Sequence, residues 1–235
     1  MDEQPAAADD FRMENQVFAG DGKEPASRST TIFCDGVVYD YLGNEVIVFD
    51  KAAAHFTLLD TVRRVRTGVT CRQVTSFTER LQQSAAAADD PFLLFLAAPE
   101  FDERFDKASR ELTLSSSWMT YRLLLVEAGS RAVTEQYREF SDWYAKLNTV
   151  LHPGSKPPFA RLLVNAAMAK YGTVAKEVFL TLTPNKKSPP QRIEVRSRHQ
   201  FVRRLAQSDR DRVTRTREFM TDFKTVGFGE YRKRQ

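Results

Sequence analysis

The stretch Phe11-Arg-Met-Glu-Asn-Gln-Val17 alternates apolar and polar residues, and much of 31–42 does the same. Side chains of a strand point alternately to opposite faces, so this period of two predicts half-buried strands. Three further short runs follow, each bounded by turn residues: Glu45-Val-Ile-Val-Phe49, His55-Phe-Thr-Leu-Leu59 and Val62-Arg-Arg-Val-Arg66. Because short connections pair consecutive strands antiparallel, residues 10–70 are predicted to form a β-meander.

Helical patterns begin directly after the meander. The spacing Thr70-x-x-Gln73 is typical of a capping box and predicts a helix over about 71–87. Asp90 followed by proline predicts a helix start, and the apolar run Phe92 to Ala97 is interpreted as a buried helical turn or two. Together with a further short helix, these elements make residues 71–108 a predicted helical segment.

That further helix is expected from two phenylalanines four positions apart, Phe101 and Phe105. On this interpretation Asp102, Glu103 and Asp106 form a solvated helix face, although such carboxylates are also the residue type of an acid–base pair. Asp60, which follows two leucines, is interpreted as a turn residue.

The remaining chain alternates between strand and helix patterns. Strands are expected at 109–128 and 177–200, a helix pair at 130–172, and a C-terminal helix at 208–224 that opens with Ser208-x-x-Asp211. The predicted fold class is α+β: a curved antiparallel β-meander, half-barrel-like, covered by amphipathic helices. Residues 1–9 are expected to be a disordered tail, 10–231 a single domain, and 225–235 a basic tail.

Bulk properties limit the class of protein. The chain has 235 residues, 42% of them hydrophobic and 28% charged, and no apolar run of about 18 residues that would span a membrane. Residues 1–10 are acidic and Ala-rich, unlike a secretory signal. Cys34 and Cys71 lack metal-type spacing and are interpreted as free core thiols. The expected location is therefore the cytoplasm.

Catalytic and metal motifs are absent from the sequence. It contains no Gly-rich phosphate loop, no dinucleotide fingerprint and no His-Glu-x-x-His. His55, His152 and His199 are scattered without metal-ligand spacing, so neither a metal nor a cofactor is predicted. Ser115-Ser-Ser117 is interpreted as a bulge or tight turn, because a nucleophilic serine needs a histidine beside it. The protein is predicted not to be an enzyme.

Charge is distributed unevenly along the chain. Residues 186–235 hold 15 basic and 6 acidic residues, a net +9, whereas residues 1–185 hold 20 basic and 25 acidic, a net −5. Clustered cations are what phosphate backbones require. A nucleic-acid surface is therefore one hypothesis for this region, carried by Arg196, Arg198, Arg203 and Arg204. Interleaved acidic residues favour a solvated basic surface instead.

Two stretches resemble a group of bacterial proteins that share this meander and have no assigned activity: Phe11-Arg-Met-Glu-Asn-Gln-Val-Phe18 and the region from Val37-Val-Tyr-Asp40 to Phe56-Thr-Leu-Leu-Asp60. In architecture, a curled meander plugged by helices is similar to the half-barrels of lipoprotein carriers. That resemblance implies binding of acyl chains in the hollow of the sheet and assigns no site residue.

Three functional hypotheses follow. The first is a binding protein with an unknown protein partner and no catalytic role. The second is a binder of a lipophilic small molecule, whose concave floor is predicted to comprise Phe11, Met13, Val17, Phe33, Val46, Val48, Phe56 and Leu58. In that case the segment Phe92 to Phe105 would fill the same hollow. The third is the nucleic-acid surface described above; the sequence leaves the oligomeric state open.

Overall fold

A computed structural model describes residues 10–185 and 191–233, which hold twelve strands and six helices. The strands are β1 (Phe11–Ala19), β2 (Ser27–Cys34), β3 (Val37–Leu42), β4 (Glu45–Asp50), β5 (His55–Asp60), β6 (Val65–Thr70), β7 (Asp102–Asp106), β8 (Glu111–Ser115), β9 (Met119–Glu127), β10 (Thr173–Asn185), β11 (Gln191–Val202) and β12 (Lys224–Thr225). The helices are α1 (Cys71–Ala86), α2 (Pro91–Ala97), α3 (Arg131–Leu151), α4 (Phe159–Lys170), α5 (Gln207–Asp222) and α6 (Phe228–Arg232). None of these helices combines the length and the apolar character needed to cross a membrane.

All twelve strands of the described chain join one curved sheet that does not close, in the order β12-β6-β5-β4-β3-β2-β1-β11-β10-β9-β8-β7. Every neighbouring pair is antiparallel except β12 and β6. Two runs of consecutive strands, β1 to β6 and β7 to β11, meet where β1 pairs with β11. The predicted α+β class with a curved, helix-covered meander is confirmed.

Helices divide the sheet into two differently covered faces. We call the face that packs against α1 to α4 the inner face, and the opposite one the outer face. The inner core is the larger and includes Phe11, Phe33 and Phe56 of the sheet with Phe140 and Leu147 of α3. On the outer face, α5 packs over β2 to β5 through a smaller apolar cluster: Ile32, Cys34, Tyr39, Tyr41, Val46, Val48, Leu59, Val213 and Phe223.

Several local signals in the sequence act as predicted. The Thr70 hydroxyl accepts a hydrogen bond from Gln73 N while the Gln73 side chain accepts from Thr70 N, which is the capping box that starts α1. The Asp90 carboxylate accepts from Phe92 N and Leu93 N at the start of α2. Helices α1 and α3 begin at the residues that the caps predicted, Cys71 and Arg131.

Four assignments made from the sequence are wrong. Residues 102–106 form strand β7 instead of a helix, so the segment 71–108 is not wholly helical. Strand β6 begins at Val65, because 61–64 turn and Arg64 has a φ of +53°. Helix α5 begins at Gln207, one residue earlier than predicted, and the carboxylate that accepts from the cap amide, that of Ala206, belongs to Asp209 instead of Asp211. Residues 225–233 are not simply a tail, since they contain α6 and the end of β12.

Candidate binding site

Five of the eight residues predicted to line the concave floor lie on the inner face. Phe11, Met13, Phe33, Phe56 and Leu58 are each exposed by 1% or less and belong to the inner core. Val17 lies on the same face of β1 as Met13, because the two are four residues apart on one strand, but it is only half-buried. The floor thus runs from a fully covered end to a partly open one.

Val46 and Val48 do not belong to the floor. Both lie on the outer face, where they pack in the cluster under α5. The residues between and after them, Ile47 and Phe49, face the inner core instead. The prediction was wrong because the run Val46 to Phe49 is apolar throughout. A strand that is buried on both faces shows no alternation of apolar and polar residues, so its sequence does not indicate which side chains face the inner core.

Helix α3 fills the hollow above the covered end of the floor. Phe140 meets Phe33 edge-on at 5.6 Å between ring centroids and lies 6.4 Å from Phe49. Trp143 lies 6.5 Å from Phe56. The predicted plug, residues 92–105, does not occupy this position, because α3 does.

Helix α2 lies at the rim of the inner core. Its sequence, Pro-Phe-Leu-Leu-Phe-Leu-Ala, is wholly apolar. Leu96 is 4% exposed and packs inward, but Leu93 and Leu94 are 40% and 44% exposed. The expectation of a fully buried helical segment is therefore wrong for these two leucines.

The contacts of α2 are mainly aromatic. The Phe92 ring lies 5.6 Å from that of Trp118, and the Phe95 ring lies 5.7 Å from that of Phe101. Phe101 in turn meets Tyr121 edge-on at 6.2 Å. One polar contact ties α2 to α1, a hydrogen bond of 2.8 Å that Gln82 Nε2 donates to the carbonyl oxygen of Ala97.

An apolar path leads from this rim along the inner face. Tyr121 pairs with Leu180 on β10, and Leu180 pairs with Val195 on β11. Leu180 and Val195 are half-buried, as is Val17 nearby on β1. These residues form the open part of the floor.

A chain of polar side chains crosses the middle of the inner face. His199 Nδ1 lies 2.8 Å from Asn15 Oδ1, and its Nε2 lies 3.0 Å from Ser197 Oγ. Asn15 Nδ2 donates to Thr31 Oγ1 at 3.1 Å, and the Thr31 hydroxyl donates to Asp40 Oδ1 at 2.6 Å. Because the Asn15 amide nitrogen donates onward, its oxygen must accept from His199, which places the histidine proton on Nδ1.

Burial shifts the pKa values of two residues in this hydrogen-bonded series, His199 and Asp40. Loss of solvation, reinforced by the nearby charge of Arg161, lowers the pKa of His199 to about 4. Loss of solvation raises the pKa of Asp40, opposed by its contacts with the hydroxyls of Thr31 and Tyr144. His199 is therefore neutral at physiological pH, and it serves as a fixed element of the floor.

The four arginines predicted to bind nucleic acid lie along the end of β11 and the turn that follows it. Arg196 and Arg198 lie on the outer face, with guanidinium carbons 4.4 Å and 5.5 Å from the Phe18 ring centroid. Arg203 follows the end of β11, lies beside Gly129 and lines one groove together with Arg198. Arg204, in the same turn, is exposed.

Other candidate chemical groups have structural partners. Asp60 Oδ1 accepts from Val62 N and Arg63 N, and Ser116 Oγ accepts from Trp118 N and Met119 N, as expected for turns. Glu103, on β7, is bound by Lys170 Nζ at 2.9 Å and the Tyr171 hydroxyl at 2.7 Å. None of these contacts builds an acid–base pair.

One group of potential metal ligands occurs in the described ranges: Asp10, Cys34 and Asp35, with donor atoms within 4.8 Å of one another. Arg210 pairs with Asp10 at 3.0 Å and Arg217 pairs with Asp35 at 2.9 Å, so both carboxylates are already neutralised. Burial raises the pKa of the Cys34 thiol to about 11, which disfavours the thiolate that a metal requires. The group is best explained as an ion-pair cluster that holds α5.

The sequence matches no protein-family model, and no curated protein aligns with it at a significant level.

Proposed function

We propose that the protein is a non-catalytic binding protein of the cytoplasm, and that its ligand is a lipophilic molecule held against the inner face beside α2. One observation carries this proposal: α2 is apolar all round, yet Leu93 and Leu94 are exposed at the rim of the hollow. Helices with no polar face are normally buried, and clusters of exposed apolar side chains mark sites that bind apolar partners.

An apolar ligand could replace the aromatic contacts that α2 makes with the residues beside it. A ligand that entered between α2 and the sheet would replace the contacts of Phe92 with Trp118 and of Phe95 with Phe101 by equivalent apolar ones. The hydrogen bond from Gln82 to the Ala97 carbonyl would be lost, and that carbonyl would become accessible to water. A polar ligand would gain nothing from the same position, since burying its polar groups costs free energy.

The open part of the floor supports the same ligand class. Leu180, Val195 and Val17 continue the inner face beyond Tyr121 and are only half-buried. An acyl chain laid over them would remove apolar surface from water at about 25 cal/mol per Å². The two free buried cysteines support the cytoplasmic location, because a reducing compartment keeps thiols unpaired.

Two tryptophans provide a test. Trp118 contacts α2, whereas Trp143 lies under α3 at the covered end of the floor. In the single-tryptophan variants Trp143→Phe and Trp118→Phe, we expect a brominated fatty acid to quench Trp118 strongly and Trp143 weakly. Native mass spectrometry of the purified protein should show a co-purified lipophilic molecule.

Entry of the ligand between α2 and the sheet also predicts an effect on the rate of uptake. Gln82→Ala removes the hydrogen bond between α1 and α2 and should speed uptake of the fatty acid. Gln83→Ala, at the exposed neighbouring position, should not. Equal quenching of both tryptophans, or none at any concentration below that of micelles, would rule out the proposed site.

A further inference from the structure

A row of alternating arginine and phenylalanine side chains crosses the outer face. Arg122 on β9 pairs with Phe179 on β10, Phe179 pairs with Arg196 on β11, and Arg196 pairs with Phe18 on β1. The guanidinium carbon of Arg122 lies 4.0 Å from the Phe179 ring centroid, and that of Arg196 lies 4.4 Å from the centroid of Phe18. From this row we propose a binding site for nucleotide units, each a planar base next to a phosphate.

Three members of the row, Arg122, Phe179 and Arg196, line a groove that no helix of the described chain fills. The groove has a volume of about 540 Å³, within the range of small-ligand sites. Thr113, Thr120 and Thr181 line it together with the basic residues Arg122, Arg192 and Arg196; its two acidic residues are Asp21 and Glu194, of which Glu194 is paired with Arg192. Hydroxyl and guanidinium donors are the groups that bind phosphate oxygens.

Arg196 is the cation best placed for a phosphate. Arg122 pairs with Glu111 at 3.2 Å, and Arg192 pairs with Glu194 at 2.7 Å. Arg196 has no carboxylate within ion-pair distance among residues 10–185 and 191–233. Its guanidinium carbon lies over the ring of Phe18, which is 2% exposed, so the guanidinium covers the solvent side of a buried ring.

The alternation of cations and aromatic rings favours nucleotides over other anions. Guanidinium groups and aromatic rings both stack on bases, and guanidinium N–H groups donate to phosphate. Arg198, two residues further along β11, also lies over the ring of Phe18 but is paired with Glu177 at 2.9 Å, which leaves Arg196 as the cation for the phosphate. An extended acidic peptide would use the cation but not the aromatic rings.

Fluorescence anisotropy with a labelled 12-nucleotide single strand of uridine tests the site in the full chain. We expect binding that weakens with salt and is competed by adenosine monophosphate. Arg196→Gln should weaken it at least about fivefold and flatten the slope of log K against log salt by about 0.7, the contribution of one neutralised phosphate on a single strand.

Matched variants keep the test decisive. Arg192→Gln, which uncovers no ring, should also weaken binding if Arg196→Gln proves too unstable to measure. Arg131→Gln removes an equally charged residue that is 91% exposed on α3, and it should have no effect.

Adenosine monophosphate and polyglutamate complete the comparison. Binding of adenosine monophosphate by a protein that does not bind the strand would support a free nucleotide as the ligand. Binding of polyglutamate as tightly as the strand would overturn the proposal in favour of an acidic protein partner. Equal loss in Arg131→Gln and Arg196→Gln, or no binding of any nucleotide, would overturn it as well.

Discussion

His199 and Asn15 join two strands that are 184 residues apart in sequence, through a contact of 2.8 Å between Nδ1 and Oδ1. The contact holds a neutral imidazole in the middle of the inner face, because the Asn15 amide also donates to Ser29 and Thr31. A neutral, half-buried histidine has consequences for stability that can be measured.

Stability should fall in mild acid because of His199. Its pKa is about 4 in the folded protein and about 6.5 in the unfolded chain, so between these values the unfolded chain binds more protons. The contribution of His199 to stability is complete above pH 6.5 and is lost as the pH falls toward 4. Urea unfolding of the wild type and His199→Gln from pH 4 to 7.5 should show a difference that changes by about 2 to 3 kcal/mol. Parallel pH profiles would contradict this.

Thr31→Val should destabilise the protein by about 1 to 3 kcal/mol, because Asp40 loses the hydroxyl that donates to it at 2.6 Å while remaining buried. Thr30→Val, one residue earlier with its side chain on the other face, is the matched control and should change stability by less than about 0.5 kcal/mol. Denaturant midpoints at pH 7 measure both. Similar losses in the two variants would show that strand propensity, not the buried contact, is responsible.

Substitutions in α2 should affect the free energy of unfolding differently at its exposed leucines and at its buried one. Leu93→Ser and Leu94→Ser are expected to leave the free energy of unfolding within about 0.5 kcal/mol of the wild type, because both side chains are already exposed. Leu96→Ala should cost about 2 to 4 kcal/mol, since Leu96 is buried in the inner core. Thermal unfolding of the three variants measures this, and a large loss in Leu93→Ser would mean that the leucine is buried in solution.

Gly68→Ala should be destabilising because of His55. A Cβ at position 68 would lie 2.5 Å from His55 Nε2, so the imidazole on the neighbouring strand must move. We expect a loss of about 1 to 2 kcal/mol, largely recovered in the double variant Gly68→Ala/His55→Ala. Equilibrium unfolding of the two single variants and the double variant completes the cycle, and simple additivity would show that the two residues do not interact.

Local signals in the sequence were sufficient for much of the fold. The alternation in β1, the capping box at Thr70 and Gln73, and the amphipathic pattern of α3 each depend on residues close together in the chain. Strand β7 was missed because Phe101 and Phe105, four apart, fit a helix face and a strand face equally well. The face of Val46 and Val48 could not be read, since both sides of β4 are buried.

The outer row could not be predicted, because its members become neighbours only through the register of four strands. Arg122, Phe179, Arg196 and Phe18 are scattered through the sequence, and a shift of one residue in any pairing would move a side chain to the inner face. The two aromatic rings of the row, those of Phe18 and Phe179, lie on β1 and β10, far from the basic segment in sequence.

The pairing of β1 with β11 fixes the order in which the sheet can be completed. While the chain is being synthesised, β1 can pair with β2, but its other edge stays open until residue 202 has left the ribosome. An open strand edge is a template for association between nascent chains. The polar residues on β1, Arg12, Glu14, Asn15 and Gln16, keep that waiting edge hydrophilic. One of these side chains, that of Asn15, later joins the two halves of the sheet through its contact with His199.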